Sequence, residues 1–152
     1  MKNNKKYYYF FLVLFFFTNS FASENINFLS LKNNEVNLRL GPSFEYPIKL
    51  TYNKKYLPII VLGKSETWRK VIDFEKNSGW VHISQLSKKK TALNSKDNSV
   101  LYKKPTIYSK PIAKIEVGRL LLIKKCNEDW CKITTGNFSG WIIKSSLWGK
   151  IN

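Results

Sequence analysis

Residues 68–83, WRKVIDFEKNSGWVHI, recur in altered form as residues 130–143, WCKITTGNFSGWII. The tryptophan that opens the first stretch lies 62 positions before its counterpart, and the Gly-Trp pair lies 61 positions before its own. Two further blocks share these offsets: residues 57–61 with 119–123, and Leu86 with Leu147. A nearly constant offset across four blocks indicates two tandem copies of one unit of about 60 residues.

Each copy has the sequence pattern of short β-strands. Val36, Leu38 and Leu40 alternate with polar residues, as in a strand with one buried face. Residues 57–62 and 120–123 are short apolar runs that polar turns connect to the tryptophan-containing strands. After residue 23, no stretch has the apolar spacing of an amphipathic helix. Five short strands in about 60 residues predict a small closed barrel, which hides its strand edges.

The predicted fold class is therefore all-β, with two tandem small barrels of about five strands each. We expect the first copy at residues 33–87 and the second at residues 97–148. Residues 88–96 begin with three lysines and are predicted to form a basic linker between the copies.

The opening of the first copy, residues 36–43 (VNLRLGPS), resembles the N-L/V-R-x-G-P-S signature of bacterial Src-homology-3-like (SH3b) domains. The later tryptophan and glycine spacing of both copies is similar to the rest of that family, and the resemblance covers residues 33–148. The residues that carry it are Trp68, Val71, Gly79, Trp80, Val81 and Leu86 in the first copy and Trp130, Ile133, Gly140, Trp141, Ile142 and Leu147 in the second. The second copy departs at residues 101–105 (LYKKP), which lack the Arg and the Gly-Pro-Ser.

This resemblance implies two SH3-like barrels that act by binding and not by catalysis. The ligand class it implies is cell-wall material, meaning the peptides of peptidoglycan, or a peptide of an envelope protein. SH3-like barrels generally bind an extended peptide in a shallow aromatic groove.

The first 22 residues have the pattern of a signal peptide. Lys2, Lys5 and Lys6 form a positive start, residues 10–17 (FFLVLFFF) form a short apolar core, and residues 20–22 (SFA) match the A-x-A-like cleavage pattern. An uncleaved anchor is the alternative, but residues 7–17 are about half as long as a membrane span. We therefore expect cleavage after Ala22 and a periplasmic or envelope location, with no transmembrane span in the mature chain.

Two cysteines, Cys126 and Cys131, flank a short polar turn between two apolar runs. Residues paired across a hairpin have Cα atoms about 4.5–5.5 Å apart, which is within the range of a disulfide. A redox or metal pair is the alternative, but the C-x-x-C spacing and additional ligands are missing. In an oxidising compartment the sequence predicts a structural disulfide.

The inventory of reactive side chains argues against an enzyme. One His and two Cys are too few for the usual His/Cys zinc sites. His82 lies in an alternating strand, where a packed or half-exposed residue is expected, and residues 128–129 (ED) read as a turn. No phosphate-binding loop and no nucleophile elbow is present. The sequence therefore predicts no catalytic residue, no cofactor and no metal.

The aromatic residues are the better candidates for a binding site. We expect Trp80 and Trp141 in the barrel cores, because a barrel this small needs large side chains to fill it. For Trp68 and Trp130, core and groove are equally good interpretations. The predicted groove residues are Arg39, Tyr46, Tyr52 and Trp68, with Tyr108 as a further possibility. Arg39 either clamps a carboxylate or braces the Gly41-Pro42 turn, and the sequence leaves both open.

The chain is strongly basic, with 26 Lys and Arg against 10 Asp and Glu and a net charge of +16. Lysines near aromatics are typical of single-strand nucleic-acid binders, but the predicted export makes anionic envelope polymers the more accessible partners. Three function hypotheses follow: a cell-wall or envelope peptide binder, a structural or assembly module, and basic adhesion to anionic polymers. Binding is expected mainly in the first copy, which keeps the full loop signature.

Overall fold

The computed structural model describes residues 27–151, and the predicted signal peptide with its cleavage after Ala22 lies outside that range. The described residues form two antiparallel sheets of seven strands each. The first sheet contains β1 (Asn27–Leu31), β2 (Val36–Arg39), β3 (Ile48–Tyr52), β4 (Pro58–Ser65), β5 (Trp68–Ile72), β6 (Ser78–His82) and β7 (Leu86–Ser87). The second contains β8 (Thr91–Asn94), β9 (Ser99–Tyr102), β10 (Pro111–Ile115), β11 (Leu120–Cys126), β12 (Trp130–Thr135), β13 (Phe138–Ile143) and β14 (Leu147–Gly149).

The two sheets have the same topology, so the repeat in the sequence is a repeat in the fold. The strand order is β3-β2-β6-β5-β4-β1-β7 in the first sheet and β10-β9-β13-β12-β11-β8-β14 in the second. A short 3-10 helix precedes the last strand of each, at Ile83–Gln85 and Lys144–Ser146. The prediction of an all-β protein with two tandem SH3-like barrels is confirmed.

Each sheet has seven strands, where the sequence predicted about five, because a short strand at each end of the repeat has no alternating pattern. The strand β1 precedes residue 33, at which the first copy was expected to begin. The segment 88–96, expected to be a basic linker, contains β8, in which all four residues are buried. This strand pairs with β11 and β14, and its Asn94 amide donates to the carbonyl oxygen of Ile115 over 2.8 Å. Lys88, Lys89 and Lys90, which precede this strand, are exposed.

Each barrel encloses its own apolar core, which is mostly aliphatic. The first core consists of Leu31, Val36, Leu38, Tyr52, Ile59, Val71 and Val81. The second consists of Ala92, Leu101, Ile115, Leu121, Ile123, Cys131, Ile133 and Ile142.

The expectation that Trp80 and Trp141 fill these cores is wrong. Gly79 and Val81 are buried on the inner side of β6, and alternation along the strand places Trp80 on the outer side, where it is half-buried. Trp141 lies on the outer side of β13 for the same reason. The glycine before Trp80 is required by close packing, since a Cβ there would lie 2.7 Å from the carbonyl oxygen of Arg39 in β2.

The two barrels contact each other through aromatic residues. Trp148 of β14 packs against Phe28 of β1 and against Phe74, with ring centroids 5.0 and 5.3 Å apart. Beside this contact, the Lys54 ammonium donates to the carbonyl oxygen of Gly118 over 3.5 Å. The last strand of the second barrel is thereby held against the first strand of the first.

Cys126 and Cys131 form the predicted disulfide at the end of the β11–β12 hairpin, where the two residues are directly opposite. Replacing both with Ser should lower the free energy of unfolding of the second barrel by roughly 2 kcal/mol, because the crosslink restricts the unfolded chain. Urea denaturation monitored separately for each barrel by NMR measures this. An equal loss in both barrels would contradict it.

Residues 23–90 contain all seven strands of the first sheet and its whole core. Produced alone, this segment should fold and give a dispersed amide spectrum, although a domain of about 60 residues buries only about 60% of its chain surface and is marginal. Compared with the full chain, the amide shifts should change mainly near Phe28 and Phe74, which lose Trp148. A disordered spectrum would show that the barrels depend on a shared core.

Candidate binding groove on the first barrel

Three aromatic side chains cluster on the outer face of the first barrel. Trp68 of β5 lies directly opposite His82 of β6, and their ring centroids are 5.2 Å apart. Phe44, from the loop between β2 and β3, completes the cluster at 4.9 Å from Trp68 and 5.4 Å from His82. Trp68 is only 6% exposed, whereas Phe44 is 65% exposed. Phe44 therefore covers the Trp68 ring, and the Phe44 ring itself is exposed to solvent.

Arg39 holds the loop that carries Phe44. Its Nη1 donates to the carbonyl oxygen of Phe44 over 3.1 Å and to that of Tyr46 over 2.7 Å. The guanidinium carbon also lies 5.7 Å from the centroid of the Phe44 ring, within the range of a cation–π contact. Of the two roles that the sequence left open for Arg39, the structure shows the bracing one.

Tyr46 supports the same loop from another side. Its ring packs directly on Gly41, where a Cβ atom would lie 2.5 Å from the ring carbons. The glycine of the Gly41-Pro42-Ser43 signature is thus explained, because a side chain at this position would clash with the Tyr46 ring. Tyr46 is half-exposed and is not among the residues that line the pocket beside Phe44.

Tyr52, a fourth predicted groove residue, lies away from this cluster. It is 8% exposed, and its hydroxyl donates to Asp73 Oδ2 over 3.0 Å. Asp73 also accepts from the backbone and side-chain amides of Asn77, so that it orders the turn after β5. Burial, together with the adjacent Asp73 carboxylate, raises the pKa of the Tyr52 phenol well above its ordinary value. Tyr52 therefore belongs to a buried polar network.

A shallow pocket of about 170 Å³ lies beside the aromatic cluster. Its walls include Glu35, Asn37, Arg39, Phe44, Trp68 and His82. The structure thus brings Arg39 and Trp68 together, as the sequence predicted, but places Tyr46 and Tyr52 elsewhere. The sequence did not predict Phe44 as a groove residue. The available signal was its position in a turn between Gly-Pro-Ser and Tyr46, outside any strand pattern, which favours an exposed ring over a core position.

The His82 ring at this pocket has a structural role. His82 Nδ1 lies 2.7 Å from Ser84 Oγ and accepts from the backbone N–H of Ser84 over 3.4 Å, so that its ring caps a short helix. Within residues 27–151, no three potential metal ligands form a cluster. In the same range, no helix has the length and apolarity that crossing a bilayer requires.

The second barrel has a different set of residues at the equivalent place. Tyr102 lies opposite Trp141, as Arg39 lies opposite Trp80. Tyr102 meets Trp130 edge-to-face at 5.7 Å. The loop between β9 and β10 exposes 57% of Ile107 and 92% of Tyr108. Tyr108 therefore lies on the other barrel and not at the pocket of Phe44.

The model of the bacterial SH3 domain family matches residues 32–88 and 95–149. The chain belongs to this family. The two matched regions contain six of the seven strands of each barrel, all except β1 and β8. SH3b domains are typically non-catalytic binding modules that are usually extracellular or associated with the cell envelope.

Solved structures similar to this SH3b protein include NlpC2 and NlpC1 from Trichomonas vaginalis, at 15% and 14% identity and TM-scores of 0.38 and 0.37. These alignments cover 85% of this chain and 50% and 48% of the other chains. An NlpC/P60 family protein from Bacillus cereus ATCC 10987 is similar at 13% identity and a TM-score of 0.37, over 80% of this chain and 56% of the other. This chain thus spans about half the length of these structures. Among curated proteins, nothing matches.

The Tyr52–Asp73 contact makes the stability of the SH3b fold depend on alkaline pH. Below the ordinary phenol pKa of about 10, Tyr52 is protonated whether the chain is folded or not, and the contact stabilises fully. Above that value the unfolded chain loses the proton while the folded chain keeps it, so the free energy of unfolding should fall. Tyr52→Phe should remove this dependence and should cost about 1–2 kcal/mol at neutral pH.

Urea denaturation at neutral pH and near pH 11 measures both effects, with Tyr46→Phe as a control because Tyr46 is half-exposed. Parallel pH profiles for the wild type and Tyr52→Phe would show that this phenol does not carry the effect.

Proposed function

We propose that this protein is an exported, non-catalytic binding module whose first barrel holds an extended peptide of the cell wall. The observation that carries the proposal is Phe44, a large apolar ring that is 65% exposed and yet fixed by contacts on several sides. Arg39 binds the backbone of its loop, and Trp68 and His82 pack against the ring. A pre-ordered aromatic anchor favours binding, because little side-chain freedom is lost when the ligand arrives.

The shape and charge of the site fit an extended chain better than a compact small molecule. The pocket is shallow and lies between the loop that carries Phe44 and the outer face of the sheet. Its polar walls, which include Glu35, Asn37 and Arg39, offer both donors and acceptors to a peptide backbone. Membership of the SH3b family supports cell-wall peptides, or a peptide of an envelope protein, as the ligand class.

Export supports the same function. The leader with its expected cleavage after Ala22, the disulfide between Cys126 and Cys131, and the SH3b family all agree with a periplasmic or envelope location.

A structural or assembly role is the second candidate, and the second barrel favours it. The loop between β9 and β10 exposes 57% of Ile107 and 92% of Tyr108, which are adjacent in the chain. An exposed apolar group of this kind is typical of a surface that another protein covers.

Retention on purified peptidoglycan tests the proposal through Phe44→Ala. Because truncating an anchoring aromatic commonly weakens binding about tenfold, retention should fall by that order. Ile107→Ala is the matched control, since Ile107 occupies the corresponding loop position of the second barrel and is similarly exposed. Trp68→Ala is unsuitable, because the loss of a buried tryptophan costs about 3–5 kcal/mol and would unfold so small a domain.

The salt dependence of retention distinguishes the three hypotheses. Retention that persists as salt rises indicates a groove, whereas loss at moderate salt indicates attraction by charge alone. No retention at any salt concentration, or an equal effect of Phe44→Ala and Ile107→Ala, would contradict the proposal and favour a protein partner.

A further inference from the structure

The outer face of the second barrel carries a row of aromatic and basic side chains that the proposed peptide groove does not use. Across four neighbouring strands, Tyr102 of β9 is opposite Trp141 of β13, Trp141 is opposite Lys132 of β12, and Lys132 is opposite Lys125 of β11. Directly opposite residues in a sheet point to the same side. Trp130 joins the row through its edge-to-face contact with Tyr102. We call these five residues the Lys–Trp face.

The two lysines of the Lys–Trp face bring two positive charges to directly opposite positions of the sheet. Lys125 and Lys132 are directly opposite on adjacent strands and both are exposed. Like charges in this position destabilise a sheet. The next pair along the same two strands is Cys126 and Cys131, whose disulfide fixes the register. The covalent bond therefore keeps the two lysine residues opposite each other despite their like charges.

An aromatic ring lies beside this pair of charges. The Lys125 Nζ atom is 5.6 Å from the centroid of the Trp141 ring, so that its side chain reaches over the strand of Lys132. Trp141, Trp130 and Tyr102 are all half-buried, which leaves part of each ring exposed to solvent. An anionic group placed between the ammonium groups would thus meet a flat apolar surface next to it.

The first barrel has no equivalent of this arrangement. Lys70 lies opposite Trp80, as Lys132 lies opposite Trp141, but the residue opposite Lys70 on β4 is Gly63. The position of Tyr102 is taken by Arg39, whose guanidinium binds its own loop. The paired lysines and the third aromatic residue, Tyr102, are therefore specific to the second copy.

We propose that the Lys–Trp face binds a carbohydrate polymer that carries carboxylate or phosphate groups. The two ammonium groups suit an anionic oxygen cluster, which forms short charge-assisted hydrogen bonds. The solvent-exposed part of the Trp141 ring suits the apolar face of a sugar ring that carries the anion. The choice of a carbohydrate over a single-stranded nucleic acid rests on the proposed export. The site lies on a different barrel from the peptide groove, so either site can fail without the other.

Calorimetric titration of the protein at about 0.05 M salt, where surface charges are weakly screened, tests the proposal. The probes are polygalacturonate, which carries carboxylates, phosphorylated dextran, which carries phosphates, and unmodified dextran, which is neutral. At least one of the two anionic polymers should bind, and neutral dextran should bind about tenfold more weakly, because it lacks the charge-assisted contacts. If neither anionic polymer binds, the proposal is wrong.

A charge-matched pair of double variants locates the site. Lys125→Gln with Lys132→Gln should weaken binding of the anionic polymer about tenfold, since both charge-assisted contacts are lost. Lys64→Gln with Lys70→Gln removes the same charge from the first barrel and should change the affinity by less than about twofold. Equal losses would assign the binding to net charge and overturn the proposal.

Two further measurements complete the test. Trp141→Phe, with its thermal melting followed to verify folding, should weaken binding of the anionic polymer, because the larger ring surface is lost. Unchanged affinity in that variant would contradict a stacked sugar. An oligothymidylate that binds as tightly as the polysaccharide, with the same dependence on Lys125 and Lys132, would assign the face to nucleic acid and overturn the carbohydrate.

Discussion

Both barrels depend on the close approach of two strands at a position where only glycine fits. In the first barrel β2 crosses β6 at a single residue pair, Arg39 with Trp80, and the glycine before Trp80 has no room for a side chain. In the second, a Cβ at Gly140 would lie 2.6 Å from the carbonyl oxygen of Tyr102. This pairing joins the β2–β3 hairpin to the rest of the first sheet, and the β9–β10 hairpin to the rest of the second. It also determines which side chains face outward, because alternation turns the next residue away from the core.

Because of this constraint, Trp80 and Trp141 face outward, and aromatic side chains gather on the outer surface of each barrel. With Trp80 and His82 on the outer side of β6, the opposite residues Lys70 and Trp68 lie there as well. The loop after β2 then folds over Trp68 and His82 through Phe44. The cores consist mostly of leucine, isoleucine and valine, which fill a narrow interior without an unpaired indole N–H.

The fold class could be predicted from the sequence, because the repeat and the strand alternation can both be recognised in the order of the residues. The sequence was insufficient for the burial of tryptophan: size suggested that Trp80 belongs inside, whereas the packing of Gly79 against β2 decides the opposite. The short strand β8 falls within the predicted linker, because it directly follows three lysines and its residues show no alternation. Of the predicted groove residues, Arg39 and Trp68 line the same pocket. Tyr52 instead donates a hydrogen bond to Asp73, which lies 21 positions away, and no sequence pattern indicates that pairing.

The contact of Trp148 with Phe28 joins residues that are far apart in the chain, whereas the strand pairs of each barrel join residues of the same copy. Contacts between distant residues form late, since a long segment must be ordered before they can be made. During synthesis or export from the amino end, the first barrel can therefore fold before the second barrel is complete. The docking of Trp148 is then the last event of folding, and on heating the seam between the barrels should open before either barrel melts.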